Sequence, residues 1–348
     1  MSAQPALSVD YLPLCPLASH DGAWWANVLG VGLFADSPSR FEAPGVPVAQ
    51  VLAPPLGDSG AVCEVWRYAA PLHAGEFGPI RYRASPHVLF GCITATERPA
   101  ARSQERAATP LQAATRHAYA EIFKALDALG YAHLIRVWNY FADINAETHG
   151  AERYRQFNRA RQDAFRDNSR AIEHSVPAAC ALGSPAGGPL VIYFLASPIE
   201  ARPLENPRQV SAFHYPAKYG PRPPTFSRAT IAHELLGGPL LISGTASIVG
   251  HESVHAGDAR AQTRETLANI EALIEEANHA TGTARYRMDG LQFKVYVRDP
   301  RDLQVIRAEM IAALGPSARI IYVQADVCRS ELLLEIEAAS TAPDLSRD

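Results

Sequence analysis

The chain has 348 residues, enough for two or three domain-sized units, and its 47% hydrophobic and 20% charged content is ordinary for a globular protein. A formal net charge of -4 excludes the broad basic surface needed to wrap a nucleic-acid backbone. Five widely spaced cysteines, an odd number with no Cys-x-x-Cys pair, speak against a disulfide framework or zinc knuckle and for a reducing compartment. Met1–Asp10 has no basic region followed by an apolar core, and no apolar run reaches the roughly 20 residues a bilayer span requires. These features predict a cytoplasmic protein with a small-molecule partner, no nucleic acid, no membrane, and a monomeric or small homo-oligomeric state.

In chain order, the first 85 or so residues are rich in Pro and Gly and predict strands and loops ahead of the first periodic unit. Val88-Leu-Phe-Gly91 reads as a strand ending in a small-residue turn. From Pro110 to Gly130 the apolar Ala118, Ile122, Ala125, Leu126 and Leu129 recur at helical spacing. A strand Val137 to Asp143, a helix Ala151 to Asp167 and a strand pair within Ser175 to Ser197 follow. After a second Pro/Gly-rich stretch, Arg202 to Leu236, the same order returns. It runs through a strand from Leu240, a helix capped by Asp258 with Leu267, Ile270, Leu273 and Ile274 on one face, and a strand Phe293 to Asp299. A helix Arg301 to Leu314 and a strand pair within Ser317 to Ser340 complete it.

Strand, helix, strand, helix, strand, strand, read twice, predicts an α/β (α+β) fold of two fused units, 1–200 and 201–348, related by a pseudo-twofold repeat. Each is a mixed sheet with two helices on one face. The other face must be buried by the other copy, which makes the cleft between copies the expected binding site. The second copy carries Glu335 between Leu334 and Ile336, where the first has the apolar run Leu190 to Leu195. Strand alternation puts Glu335 with Leu333 and Glu337 on the face away from the helices. A carboxyl held among apolar groups resists ionisation and can donate a proton near neutral pH. The competing reading is an edge-strand glutamate facing solvent.

The unit from Ile242-Ser-Gly-Thr-Ala to Leu334-Glu-Ile-Glu-Ala338 resembles the RidA/YjgF family of imine deaminases, whose arginine and terminal-strand glutamate match Arg319 and Glu335. The chain as a whole resembles the chorismatases, which carry two such units in one polypeptide. The resemblance rests on Ser211-Ala-Phe-His-Tyr-Pro-Ala-Lys-Tyr-Gly-Pro-Arg-Pro-Pro-Thr-Phe-Ser-Arg-Ala229, Ser243-Gly-Thr-Ala-Ser-Ile-Val-Gly-His251 and Glu152-Arg-Tyr-Arg-Gln-Phe157. It covers nearly the full length and is weakest before about Cys63. It implies cofactor-free cleavage of chorismate to pyruvate and a ring product: a dihydroxycyclohexadiene carboxylate, 3-hydroxybenzoate, or a mixture of 3- and 4-hydroxybenzoate. The chain resembles the type that serves xanthomonadin pigment synthesis, and Cys328, seven residues before Glu335, fits the loop cysteine of the aromatising subgroups.

Such a substrate is an enol ether with two carboxylates, so the site must protonate a methylene carbon and neutralise two charges. Glu335 is the candidate general acid. Arginine suits carboxylates because its planar fork makes two charge-assisted bonds. Arg319 qualifies through the RidA-like match, Arg222 and Arg228 through the proline-stiffened loop, and Arg161 by sharing a helix face with Tyr154, Phe157 and Ala164. Arg153, Arg155 and Arg159 read as surface residues or structural ion pairs. Tyr215 and Tyr219 could hydrogen-bond a carboxylate or ring hydroxyl, and Gly244 could let the ring approach the backbone. Cys328 could shape the ring pocket or assist loss of a ring proton; a buried cysteine is otherwise an inert small hydrophobe.

His251-Glu-Ser-Val-His255 matches a zinc-protease signature that works only on a helix, and the flanking Gly250 and Gly257-Asp258 predict a loop instead, so no metal is assigned. Gly30-Val-Gly-Leu-Phe-Ala35 imitates a dinucleotide fingerprint, but Asp36-Ser-Pro-Ser cannot readily begin the helix it requires. A RidA-like deaminase using Arg319 with Glu335, and a non-catalytic binder of an aromatic acid, are the alternatives to a chorismatase.

Overall fold

The computed structural model describes residues 6–17, 19–57, 60–97 and 108–340. Met1–Pro5, on which part of the leader reading rests, lies outside them. Three sheets share one centre. The first is made of β1 (Leu7–Pro13), β2 (Val28–Ala35), β3 (Val48–Leu52) and β4 (Val62–Tyr68) in the order β1-β4-β2-β3.

The second contains β5 (His73–Phe77), β6 (Ile80–Ala84), β7 (Leu89–Ala95), α1 (Pro110–Leu129), β8 (His133–Ala142), α2 (Arg153–Asp167), β9 (Ala178–Ser184) and β10 (Leu190–Ser197). Its strand order is β5-β6-β7-β10-β8-β9. The third contains β11 (Arg202–Leu204), β12 (Ala229–Ile231), β13 (Leu240–Thr245), α3 (Ala259–Thr281), β14 (Leu291–Val297), α4 (Leu303–Leu314), β15 (Arg319–Gln324) and β16 (Leu334–Ser340). Its order is β11-β12-β13-β16-β14-β15. Adding six to every label converts the second order into the third, so the repeat read from the sequence is present strand by strand.

It also extends further than the sequence suggested. The order β1-β4-β2-β3 reproduces the last four positions of each full sheet, with the same parallel pair (β2 with β3) and the same antiparallel pairs. The Pro/Gly-rich N-terminal segment is therefore a third, reduced unit without the leading hairpin. The units close head to tail: β9 meets β13, β15 meets β1, and β3 meets β7. A cyclic arrangement of three uses every inward face, where two units alone would leave one open.

Local signals explain the helices that cover the outer faces. Thr109 and Gln112 form a capping box around Pro110 at the start of α1, and Gly130 ends it at φ 80°. Asp258 accepts the Ala261 N–H to start α3, and Gly282 at φ 64° ends it. One core packs α1 and α2 on the second sheet, through Ile122, Phe157, Phe165 and Phe194; another packs α3 and α4 on the third, through Ile270, Phe293, Met310 and Ile336. Leu333, expected to share the Glu335 face, precedes the regular strand and packs with this outer core. The Gly30 motif lies in β2, where a Cβ on Gly30 would stand 2.1 Å from the Phe90 ring: the glycine admits the neighbouring unit's aromatic side chain, not a dinucleotide. Among the described residues no helix is long and apolar enough to cross a membrane.

The helix-free faces meet at a buried charged centre. Lys294 contacts Glu64 and lies 2.6 Å from Glu337, while Arg136 pairs with the other oxygen of Glu337. Trp138 and Tyr296 donate to Glu337 at 3.0 and 3.1 Å, and Tyr193 donates to Glu64 at 2.6 Å. Burial alone would pull the Lys294 ammonium down, but Glu337 and Glu64 outweigh it and hold the group above its ordinary value. Removing one partner of such a cluster strands its counter-ions. Lys294→Met should destabilise the fold by about 3–5 kcal/mol in chemical denaturation; an unchanged midpoint would show that the cluster does not hold the units together.

Candidate active site

A cavity of about 360 Å³ opens between the second and third units. Their edges are pinned by Ser243, whose Oγ accepts from the Ala179 N–H at 2.9 Å and donates to Ser227 O at 2.6 Å. In β13 the pairing with β16 slips between Ile242 and Thr245, so Ser243 and Gly244 together oppose Glu337. The bulge turns the Gly244 backbone towards the carboxyl of Glu335. A Cβ on Gly244 would sit 1.8 Å from Glu335 Oε1 and 3.1 Å from Cys180 Cβ, so only glycine leaves room for the acid.

Glu335 is buried on the inner face of β16, with Leu334 and Ile336 pointing into the helix-covered core. Burial, reinforced by the Glu337 carboxylate two residues along, pushes its carboxyl up to about 8; Arg136 and Arg228 pull the other way. It is therefore protonated at neutral pH. Burial pushes the Cys328 thiol up to about 12 and also raises the Cys180 thiol and the Tyr154 phenol, so each of these neighbours is neutral.

Around this acid the cavity is cationic. Arg161 is buried on α2 with its guanidinium 5.4 Å from the Tyr119 and Phe165 ring centres, and its Nε and Nη2 have no hydrogen-bond partner. Arg228 is buried just before β12; its Nη2 donates to Val210 O and to Tyr215 Oη, both at 2.8 Å, and its Nε is unmet. Arg329, in the loop before β16, donates from Nη1 to His251 O and Ser253 Oγ, both at 3.0 Å, stacks 4.0 Å over Tyr219 and keeps Nη2 unpaired. Buried N–H donors without partners are costly unless a ligand meets them.

Seven residues singled out from the sequence line this one cavity: Glu335, Cys328, Arg161, Tyr215, Tyr219, Arg228 and Gly244. Tyr219 donates its hydroxyl to His251 O at 2.6 Å, so it offers the cavity a ring rather than a free donor. Two expectations fail on geometry. Arg222 is 40% exposed, lies 3.8 Å from Asp163 and does not line the cavity. Arg319 is exposed at the start of β15 in register with Gln292, whereas Glu335 is in register with Tyr296, four residues and roughly 13 Å further along the sheet. The Arg319–Glu335 pair required by the deaminase alternative is not assembled.

The sequence reading missed Arg329, Cys180, Tyr154 and Asn158; Arg155, expected on the surface, is exposed at the cavity mouth and pairs with Glu152. Tyr154, Asn158 and Arg161 recur at helical spacing, a signal that was available; nothing local marks Cys180. His251 and His255 belong to a hairpin and its exit, with His255 at φ 63°, and His251 serves through its backbone oxygen.

Residues 64–196 match the family model described as chorismatase FkbO/Hyg5-like, N-terminal. A 3-hydroxybenzoate synthase of Streptomyces hygroscopicus is 39% identical over 325 residues, covering 89% of this chain and 91% of the relative. A chorismatase of Streptomyces rapamycinicus is 36% identical over 282 residues, 79% of this chain and 80% of that one. A crystal structure of a chorismatase superposes with a TM-score of 0.82 at 30% identity, over 97% of this chain and 98% of the other. The chain belongs to the chorismatase family.

The raised acid can be checked without any substrate. In infrared difference spectra of wild type against Glu335→Gln, a protonated carboxyl band should persist at pH 7 and disappear as pH rises through about 8. A band already absent at pH 6 would show that Glu335 is an ordinary carboxylate.

Proposed function

We propose that this chain is a chorismatase that cleaves the enolpyruvyl ether of chorismate to pyruvate and 3-hydroxybenzoate, with Glu335 as general acid. The observation that carries the reading is a carboxyl buried against Gly244 inside a cavity lined by Arg161, Arg228 and Arg329. The relative named as a 3-hydroxybenzoate synthase supports the choice of product.

The electron count is simple. The O–H bond of Glu335 breaks, the π pair of the enol ether takes the proton at the methylene carbon, and positive charge develops on the ether carbon and oxygen as an oxocarbenium ion. Glu335 is left as a carboxylate beside that cation. Pyruvate and hydroxybenzoate together contain the atoms of chorismate, so the aromatising route consumes no net water; the diene diol with pyruvate contains one added water. Only protein groups and substrate enter the steps as written.

The resemblance to the xanthomonadin type supports a finer reading, in which some 4-hydroxybenzoate is also released and the products feed pigment synthesis. All five cysteines are free, in keeping with a cytoplasmic location. Cyclic closure within one chain occupies the unit edges that separate subunits would otherwise pair, which favours a monomer.

Two variants test the chemistry. Glu335→Gln should release pyruvate at least about a hundredfold more slowly while still binding chorismate, because general acids contribute on the order of 100- to 10,000-fold. In wild type, kcat should fall as pH rises through about 8, since the active form is the acid. Near-normal turnover in Glu335→Gln would sink the assignment. Cys328, as a neutral thiol packed near Ala246, Ile248 and Leu332, acts through shape. Cys328→Ala should shift the ring product towards the diene diol, read by chromatography, and an unchanged product would exclude it as a determinant.

A further inference from the structure

One wall of the cavity is held in place by a single side chain outside it. Residues 325–333 join β15 to β16 and bring Cys328 to the cavity. Arg298, the residue after β14, does not line that cavity, and its side chain is 18% exposed. Its Nε donates to Leu332 O at 2.8 Å, and its Nη2 donates to Val327 O and Arg329 O, both at 2.9 Å. Its Nη1 donates to Asp326 Oδ1 at 2.6 Å and, in the second unit, to Asn145 Oδ1 at 3.0 Å. All five N–H donors of the guanidinium are therefore used. Three of them meet backbone carbonyls of the loop, two of these flanking Cys328, that no strand partner serves.

The fold itself does not call for this clamp. Tyr296, Tyr140 and Phe34 are equivalent in the three units, so two residues further along stand Arg298, Ala142 and Asp36. In the second unit the corresponding connection, residues 185–189, is shorter and closes on itself through a bond from the Gly188 N–H to Pro185 O at 3.2 Å. Of the three positions, arginine occupies the one whose connection bears Cys328. That connection also leans on the second unit, where Gly183 and Asp326 exchange N–H to O bonds at 2.7 and 3.2 Å. Val327 and Leu332 are fully buried beside Ala246 and Ile248, with Cys328 packed against them. The apolar contacts seat the loop, and the guanidinium fixes the course of its backbone.

We infer that Arg298 is a positioning residue: by holding the backbone on both sides of Cys328 it keeps the thiol against the ring pocket and so governs which ring product leaves. The assignment rests on the part given to Cys328 in the chorismatase reading above. A loosened loop lets water into space the thiol fills, and the diene diol is the product that contains an added water. Arg298 therefore favours the hydroxybenzoate without touching the substrate.

Arg298→Lys is the informative variant, because an ammonium keeps the charge while its three donors spring from one nitrogen and cannot reach carbonyls along the whole loop. With the charge kept, Cys328 changes reactivity through access. Timed iodoacetamide labelling of the full chain at about pH 8, read by peptide mass spectrometry, should show Cys328 alkylated about tenfold faster than in wild type, with the buried Cys63 and Cys92 unchanged. In turnover of chorismate, the ratio of diene diol to hydroxybenzoate should rise about three- to tenfold in Arg298→Lys. That rise should vanish when Cys328→Ala is already present, since a positioning residue acts through the group it positions. Asn145→Ala removes one of the five bonds and should move both readouts the same way by about threefold, which keeps the test open if Arg298→Lys fails to fold. Unchanged labelling, an unchanged product ratio, or a product shift that persists undiminished in the Cys328→Ala background would overturn the assignment. Labelling needs no substrate, so it judges the clamp even if wild type releases no pyruvate, the result that would sink the chorismatase reading.

Discussion

The position of the active site follows from the ion cluster at the centre of the molecule. Glu64 comes from the reduced first unit, Arg136 from the second, and Lys294 and Glu337 from the third, so one network of two cations and two anions touches all three sheets. Its members are buried, and the Tyr193, Tyr296 and Trp138 donors fill the remaining acceptor sites. In a low-dielectric interior such a network is favourable only when complete, so it specifies register as much as stability. A slip of one residue in β16 would carry Glu337 out of the centre and into the helix-covered core.

That constraint reaches Glu335 through strand geometry. With Glu337 anchored, the residue two positions earlier must emerge on the same face, at the edge of the centre, where β9 and β13 part to form the cavity. The anchored charge also acts electrostatically, since an ionised Glu337 nearby makes a second ionisation at Glu335 costly. The same residue thus ties the units together and helps to keep the acid protonated. Pairing identifies the counterparts: Tyr296 faces Glu335, Tyr140 faces Val191 and Phe34 faces Val62. Of three equivalent positions around the ring, one carries an acid and two carry valine.

What was legible in the sequence was whatever repeats with a period. The helices of both full units, their caps and the strands that feed them appear where periodicity and Asp258 or Gly130 place them, and the Glu335 face follows from alternation alone. The third unit was hidden because its first helix has shrunk to two single turns, no helix stands between β2 and β3, and its leading hairpin is missing, which leaves four strands spaced by Pro and Gly. Among site residues, those within a regular element or a long motif, such as Arg161 and Gly244, could be placed. Arg329 and Cys180 could not, since their importance depends on which unit lies opposite. Arg319 shows the converse: a motif match gives a position along a strand, and here that position lies about four residues from the acid.

Fusion into one chain makes the central chemistry possible. Three identical units arranged cyclically would place three copies of every side chain around the axis, so any charged residue there would face two others of its own sign. Here the position paired with the central acid is Gly32, Trp138 and Lys294 in turn, and the acid's own position is Glu64, Tyr193 and Glu337. One lysine can then sit between two glutamates, with Arg136 supplying the second positive charge and aromatic groups filling the remaining places. Only a chain whose copies vary independently can build that balanced set. The same independence lets one cleft gather a protonated carboxyl and three guanidinium groups while the other two positions stay apolar, which confines the acid to a single site.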